Sequence, residues 1–331
     1  MAKVPENWSH KIFNSNLNNF EELCLEAFSF QFHNNQVYRQ YCQLIGINDE
    51  KRINGIHQIP HLPVEFYKTL EIKSGKFEAQ KIFESSGTTG MLNSKHHVAD
   101  LSIYKESFTK CFEYFFGDIK SYCFLGLLPS YLEKNNSSLI YMVQELMSIS
   151  GNPQNGFFLF EHDVLMNRIK NLEAQQQNYI LFGVSFALLD FAEKFQLEMK
   201  YGRIIETGGM KGRKKEITKD EVLKQLNSGF HTDKIHSEYG MSELLSQAYS
   251  MQGGLYESPA WMKVQTTEIN DPGKLSKAGK TGVVQVIDLA NIHTCCFIKT
   301  SDLGIVHEDG KFEILGRLDH SDMRGCSLLI A

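Results

Sequence analysis

Ser85-Ser86-Gly87-Thr88-Thr89-Gly90 places two glycines and four hydroxyls in six positions. Glycine lets backbone N–H groups come close to an anion, and neighbouring hydroxyls add donors that carry no fixed charge. Such a loop suits the phosphates of a nucleotide. The Gly-Lys-[Ser/Thr] ending of the common P-loop is absent, although Lys95 follows five residues after Gly90. The same residues also make an ordinary surface loop of turn formers. Lys81-Ile82-Phe83-Glu84, just before, reads as a short strand, and the residues after His97 read as a helix.

Downstream the chain alternates. Tyr122–Leu128, Gly156–Phe160, Tyr179–Val184 and Arg203–Glu206 are short apolar runs that read as buried strands. Leu101–Phe116, Ser138–Ser150, Asp163–Gln175, Phe186–Phe195 and Lys219–Leu226 lie between or beside them and are amphipathic. This rhythm implies an α/β fold with a mainly parallel sheet covered by helices. Ligands of such sheets gather at the C-terminal strand ends, where the 85–95 loop is expected to lie.

Two later strand ends have a chemical logic. Arg203–Thr207 runs into Gly208-Gly209-Met210, and Lys234–Glu238 runs into Tyr239-Gly240-Met241-Ser242-Glu243. An aromatic ring can stack on a base, a glycine permits close approach, a hydroxyl can donate to a phosphate, and a carboxylate can hold a divalent cation. Read singly, Tyr239 is equally a core residue, Ser242 a helix N-cap and Glu243 a first-turn acid. Further on, Val283–Ile287, Cys296–Lys299, Gly304–His307 and Phe312–Leu315 read as strands. Asp302, expected at a strand end, can accept hydrogen bonds from both hydroxyls of a ribose, and Arg317 can pair with a phosphate or the ribose. Asp302 also fits a turn, and Arg317 with Asp319 a surface pair.

Before the loop, Phe20, Leu23, Cys24, Ala27 and Phe28 share one helical face, and Val37, Tyr38, Tyr41, Leu44 and Ile45 another, with Gly46 as a stop. Ile59-Pro60-His61-Leu62-Pro63 reads as an extended connector. The chain therefore divides into a helical N-terminal cap (1–66), an α/β core (67–278) and a β-rich C-terminal part (279–331). Its 331 residues allow one large or two unequal domains, and 42% hydrophobic against 22% charged residues is globular composition. A net charge of -5 leaves no nucleic-acid footprint. No run of 18 apolar residues predicts a membrane span, and the N-terminus carries no signal-peptide core. Seven cysteines, odd in number and without a CxxC pair, point to a reducing cytoplasm.

Taken together and in this order, the four stretches resemble those of the adenylate-forming enzymes, among them acyl-CoA synthetases and firefly luciferase. Ser85–Gly90 is similar to their phosphate loop, Tyr239-Gly240-x-Ser242-Glu243 to their Tyr-Gly-x-Thr-Glu, Thr300-Ser301-Asp302 to their Thr-Gly-Asp and Gly316-Arg317-x-Asp319 to their Gly-Arg-x-Asp. Leu128–Glu133, Ser137-Ser138-Leu139, Glu206–Arg213 and Arg324-Gly325-Cys326-Ser327 narrow the resemblance to the acyl-protein synthetases of bacterial luminescence. It implies ATP-dependent activation of a fatty acid to an acyl-adenylate, capture of the acyl group on a cysteine near the C-terminus, and a reductase partner. Ser85, Ser86, Gly87, Thr88, Thr89 and Gly90 would hold the ATP phosphates. Gly208 and Gly209 would border the adenine with Tyr239 stacked on it, and Gly240 would let the nucleotide approach closely. Ser242 would contact the α-phosphate and Glu243 would bind Mg²⁺. Asp302 would bind the ribose, Arg317 would support the nucleotide, and Cys326 would accept the acyl group.

Ser301 replaces the usual glycine. Full-length relatives continue past Gly-Arg-x-Asp into a mobile domain with a catalytic lysine; here the expectation is that Lys95, Lys211 or Arg213, or Mg²⁺ with the loop, takes its place. Phe157, Phe158, Phe182, Phe186 and Trp261 either line an acyl pocket or belong to the core. Two other readings stay open: the same adenylation with coenzyme A or another small acceptor, and a non-catalytic nucleotide-dependent scaffold.

Overall fold

A computed structural model describes residues 4–85, 92–129, 136–208 and 217–318. Its strands are β1 (Leu62–Pro63), β2 (Lys81–Glu84), β3 (Lys95–Val98), β4 (Cys123–Leu127), β5 (Gly156–Phe158), β6 (Tyr179–Val184), β7 (Gly202–Thr207), β8 (Ile235–Tyr239), β9 (Ala248–Ser250), β10 (Tyr256–Glu257), β11 (Met262–Thr267), β12 (Thr281–Asp288), β13 (Phe297–Val306) and β14 (Phe312–Arg317). Among the described residues, twelve strands form one sheet, ordered β11-β12-β13-β14-β10-β9-β8-β7-β6-β4-β5 with β1 beside β13.

The β5-β4-β6-β7-β8 block is parallel. Every residue of β4, β6 and β8 is buried, which is why β4 and β6 read as unbroken apolar runs rather than alternating ones. Helices Leu101–Phe116 and Ser138–Ser150 fall where their periodicity placed them. The second starts at a Ser137 cap, whose side chain accepts from the Ile140 N–H, and ends at Gly151. Helix Lys219–Phe230 runs past Leu226, its expected end, and through Gly229. That glycine is a packing residue: a Cβ there would come within 2.6 Å of the Ala192 Cβ on helix Ser185–Lys194.

From β9 to β14 successive pairings are antiparallel, and β1 adds a parallel pairing with β13. The expected strands 296–299 and 304–307 are one continuous strand, β13, so Asp302 lies within a strand rather than at its end. A register shift against β14 between Leu303 and Gly304 bends the ladder beside it. The 81–84 strand is also placed differently from the expectation. It does not join the parallel sheet but pairs with β3 in a separate two-stranded hairpin.

The N-terminal helices Phe20–Asn34 and Gln36–Leu44 are fastened to the 291–296 loop. Gln31 donates to the Asn291 and Ile292 carbonyls at 3.1 and 3.0 Å and accepts from the Cys296 N–H at 2.9 Å. Asn35 caps the second helix and donates to the Thr294 carbonyl at 2.8 Å. Phe28, Phe32, Tyr38 and Phe297 form one buried aromatic cluster, each ring contributing about 1.5–3 kcal/mol by burial. The first stripe is core throughout, whereas of the second Tyr38 is buried and Leu44 and Ile45 are exposed; the cluster holds Thr294 in place beside the site described next.

Candidate active site

The β2–β3 hairpin stands on the 241–247 segment. Its base is closed by Ser85 and Ser94: the Ser85 N–H donates to the Ser94 carbonyl at 3.1 Å, and the Ser94 N–H donates to the Ser85 hydroxyl at 2.9 Å. Alternation along β3 turns Ser94, His96 and Val98 inward and leaves Lys95 on the opposite, exposed side. His96 is fully buried, with Nδ1 2.8 Å from the Ser242 carbonyl and Nε2 3.1 Å from the Thr294 hydroxyl. Burial pushes its pKa down to about 4, so the ring is neutral.

Residues 241–247 are a turn and extended chain, so Ser242 and Glu243 are neither helix cap nor first-turn acid. Glu243 is buried, and burial raises its pKa. A hydrogen bond from the Ser94 side chain opposes the rise, as do the charges of Arg317 and Lys68. Its own carbonyl accepts from the Asn291 side chain at 2.8 Å.

Tyr239 ends β8, with its ring against Tyr256 and Phe312 and its hydroxyl donating to Asp302 Oδ2 at 2.8 Å. This bond joins β8 to β13, although β9, β10 and β14 stand between them in the sheet. Burial raises the Asp302 pKa, against the pull of Tyr239 and Arg317. Arg317 faces Asp302 across the β13–β14 ladder, with Nε 3.5 Å from Oδ1. Its side chain is 86% exposed, so the pair is weak and the guanidinium is available to a ligand. The structure thus brings Tyr239, Asp302 and Arg317 to one place.

Gly208 ends the neighbouring strand β7 at φ 71°, a left-handed conformation that favours glycine. Its carbonyl lies 2.9 Å from the Ser185 hydroxyl, which also reaches buried Glu206; Glu206 in turn pairs with Lys219. On β8, Glu238 accepts from the Thr207 hydroxyl and tucks under Gly240, where a Cβ would collide with its carboxyl oxygen. Ser86, Gly87, Thr88, Thr89, Gly90, Gly209, Lys211, Arg213, Asp319 and Cys326 lie outside the described residues. Ser94, His96 and Thr294 escaped the sequence reading, as did the Ser185–Glu206–Lys219 chain. The alternation of Ser94-Lys95-His96-His97-Val98 was the available signal for the first two.

Burial raises the Glu238 pKa to about 7, with the Glu206 charge adding to the effect and the Thr207 hydrogen bond and Lys219 opposing it. The folded state thus holds a proton that the unfolded chain releases near 4.5. The associated stability is fully present below that value and is lost as pH rises through about 7. Two and a half pK units correspond to about 3 kcal/mol. Glu238→Gln is therefore expected to unfold at higher denaturant than the wild type at pH 8, with the gap closing at pH 5. Urea titrations at the two pH values test this, and an equal gap at both would contradict it.

A cavity of about 360 Å³ opens at the C-terminal ends of β4, β5 and β6. Pro129, Leu159, Phe160, Phe186 and Ala187 line it, together with His162 and Asp190. The strand order reverses here, with β5 and β6 on opposite sides of β4, which is the position where open α/β sheets bind ligands. Of the other candidate pocket aromatics, Phe158, Phe182 and Trp261 are core, and Trp261 donates to Ser246 and Ser107. Phe157 is partly buried and packs on the core.

This is the fold of the adenylate-forming enzymes. The chain superimposes on ATP-bound MatB from Rhodopseudomonas palustris with a TM-score of 0.55, at 16% identity over 71% of this chain and 47% of that one. It matches the O-succinylbenzoate coenzyme A synthetase MenE from Bacillus subtilis, in complex with ATP and magnesium ion, with a TM-score of 0.52, at 16% identity over 75% of this chain and 52% of that one. The chain thus spans about half the length of each. Within this class, residues 3–331 match the model of the family described as "Acyl-protein synthetase, LuxE", and the chain belongs to that family. A curated relative, the long-chain-fatty-acid–luciferin-component ligase of Aliivibrio fischeri, is 25% identical over 99% of this chain and 91% of its own length.

Proposed function

We propose that this enzyme activates a carboxylic acid, foremost a long-chain fatty acid, with ATP and then takes the acyl group onto Cys326. The meeting of Tyr239, Asp302 and Arg317, with the buried carboxylate of Glu243 four residues after Tyr239, supports this reading: an aromatic ring for the base, a carboxylate for the ribose, a cation for the phosphates and a carboxylate for a metal. In the first step a carboxylate oxygen of the acid attacks the α-phosphorus of ATP and pyrophosphate leaves. Asp302 holds the ribose hydroxyls and Tyr239 and Gly208 border the base. Ser242 and Arg317 meet the phosphoryl oxygens as charge builds on them. In the second step the Cys326 thiolate attacks the acyl carbon and AMP leaves.

The donor set fits a Mg²⁺ that arrives with the nucleotide. Glu243 offers one buried carboxylate, and among the described residues there is no cluster of three metal-binding side chains. When bound, Mg²⁺ would offset the charge on the phosphate oxygens. The other six cysteines are all buried, with thiol pKa values pushed up by burial, to about 12 at Cys42 and Cys123. Thiols held protonated are poor nucleophiles, which favours Cys326 as acceptor. Among the described residues no helix is long and apolar enough to cross a membrane. The cytoplasm is the setting we assign, and an acyl-protein reductase is the partner that would take the acyl group from Cys326.

The test is interception by hydroxylamine, which converts an acyl-adenylate to a hydroxamate. Hydroxamate that requires both ATP and acid is expected, and its absence with every acid would reject the reading. The apolar cavity is the place we assign to the acyl chain. Phe160, 65% exposed on its lining, allows a mild probe. Phe160→Asp is expected to raise KM for long acids by about four- to fifteenfold, the cost of one to two desolvated methylenes, and to leave short acids unchanged. Equal effects on long and short acids would place the chain elsewhere.

A further inference from the structure

We infer that His96 is a positioning residue for Glu243, holding the peptide that carries the metal-binding carboxylate; this rests on the nucleotide-site reading above. The Glu243 peptide is held at both of its ends by buried groups. The carbonyl before it, on Ser242, faces His96 Nδ1 at 2.8 Å. Its own carbonyl accepts from Asn291 at 2.8 Å. A carbonyl oxygen only accepts, so Nδ1 must carry the hydrogen. In the neutral ring Nε2 then accepts from the Thr294 hydroxyl, at 3.1 Å.

Thr294 is itself anchored, since its carbonyl accepts from Asn35 and Ser74. The Tyr67 ring stands edge-on to the imidazole at 5.9 Å. His96 therefore links three separate parts of the chain: the β2–β3 hairpin, the Ser242–Glu243 turn and the 291–296 loop. Ser94, the residue before β3, is buried on the same side as His96. A group of this kind does not touch the metal, yet it sets where the ligand stands, and losing such a partner typically costs 10–100-fold in metal affinity.

The two ring nitrogens can be separated by substitution. His96→Asn keeps an amide N–H near the Nδ1 position, whereas His96→Gln keeps an acceptor near Nε2 and loses the donor. Titration calorimetry of ATP binding by the full chain, with and without Mg²⁺, reads the effect without turnover. In wild type, Mg²⁺ is expected to tighten ATP binding. In His96→Gln that gain should shrink about tenfold or more, while His96→Asn keeps most of it and metal-free ATP affinity stays within about twofold. Thermal melts of both variants accompany the titrations. Equal losses in the two variants, or losses that follow their melting temperatures, would overturn the role of His96. So would a wild type whose ATP binding ignores Mg²⁺. Wild-type protein that binds Mg²⁺–ATP but forms no hydroxamate would instead reject the adenylation reading, and the comparison of variants would still decide the role of His96.

Discussion

Glu243→Gln is expected to lower acid-dependent exchange of pyrophosphate into ATP by on the order of 10²–10³-fold, the range seen when one group that stabilises developing charge is removed. The replacement keeps shape and an acceptor for Ser94, and it removes a charge that burial penalises. The melting temperature should therefore not fall, which separates lost chemistry from lost fold. A pH signature goes with it. Because burial raises the Glu243 pKa, the wild-type rate should fall on acidification at a higher pH than an ordinary glutamate would dictate. Added Mg²⁺ should move that limb to lower pH, since the cation binds only the ionised form. The limb should be absent from the residual rate of Glu243→Gln. A variant that exchanges at the wild-type rate would remove Glu243 from the site.

Cys326→Ser should leave exchange within about twofold of wild type and abolish the covalent acyl adduct seen by intact-mass analysis after incubation with ATP and acid. Formation of the adenylate needs no thiol, whereas its capture does, and a serine hydroxyl is a much weaker nucleophile than a thiolate. The buried thiols should not take over. Cys111 and Cys296 lie deep in the core, with pKa values raised well above that of a free thiol, and Cys24 and Cys295 are raised in the same way. An adduct of the same mass on Cys326→Ser would move the acceptor to another residue. Acyl thioester released to a small thiol, unchanged by the substitution, would favour coenzyme A or a similar acceptor.

The parallel half of the fold was legible because its strands are buried on both faces and its helices are amphipathic. Tyr179–Val184 and Leu101–Phe116 come out with the bounds their patterns gave. The antiparallel half was less so. β9 and β10 are too short for any period to register, and β11, Met262–Thr267, alternates buried and exposed positions that went unread. The hairpin was missed for a different reason. β2 follows the chain order of an alternating α/β pattern, and nothing in its four residues says which neighbour it pairs with.

For the proposed site, the sequence singled out Tyr239, Glu243, Asp302 and Arg317 because each carries chemistry inside a short motif. That Tyr239 meets Asp302 and Arg317 was not legible, because β8 and β13 are far apart in sequence and are not neighbours in the sheet. Ser94, His96, Thr294 and Asn291 act through hydrogen bonds across more than forty residues of chain, and no local pattern marks such partners. The ion pair of Glu206 with Lys219 is of the same kind. Its acid stands in a quoted motif, but its base opens a helix that reads as an ordinary capped one.

The measurement that bears most directly on this assignment is acid-dependent exchange of labelled pyrophosphate into ATP by the purified full chain, across acids from acetate to palmitate with aryl acids as controls. Exchange that requires an acid and Mg²⁺, is strongest with long-chain fatty acids and is lost in Glu243→Gln is the expected result. Protein that binds ATP yet exchanges with none of these acids would contradict the assignment of an acyl-adenylate-forming enzyme.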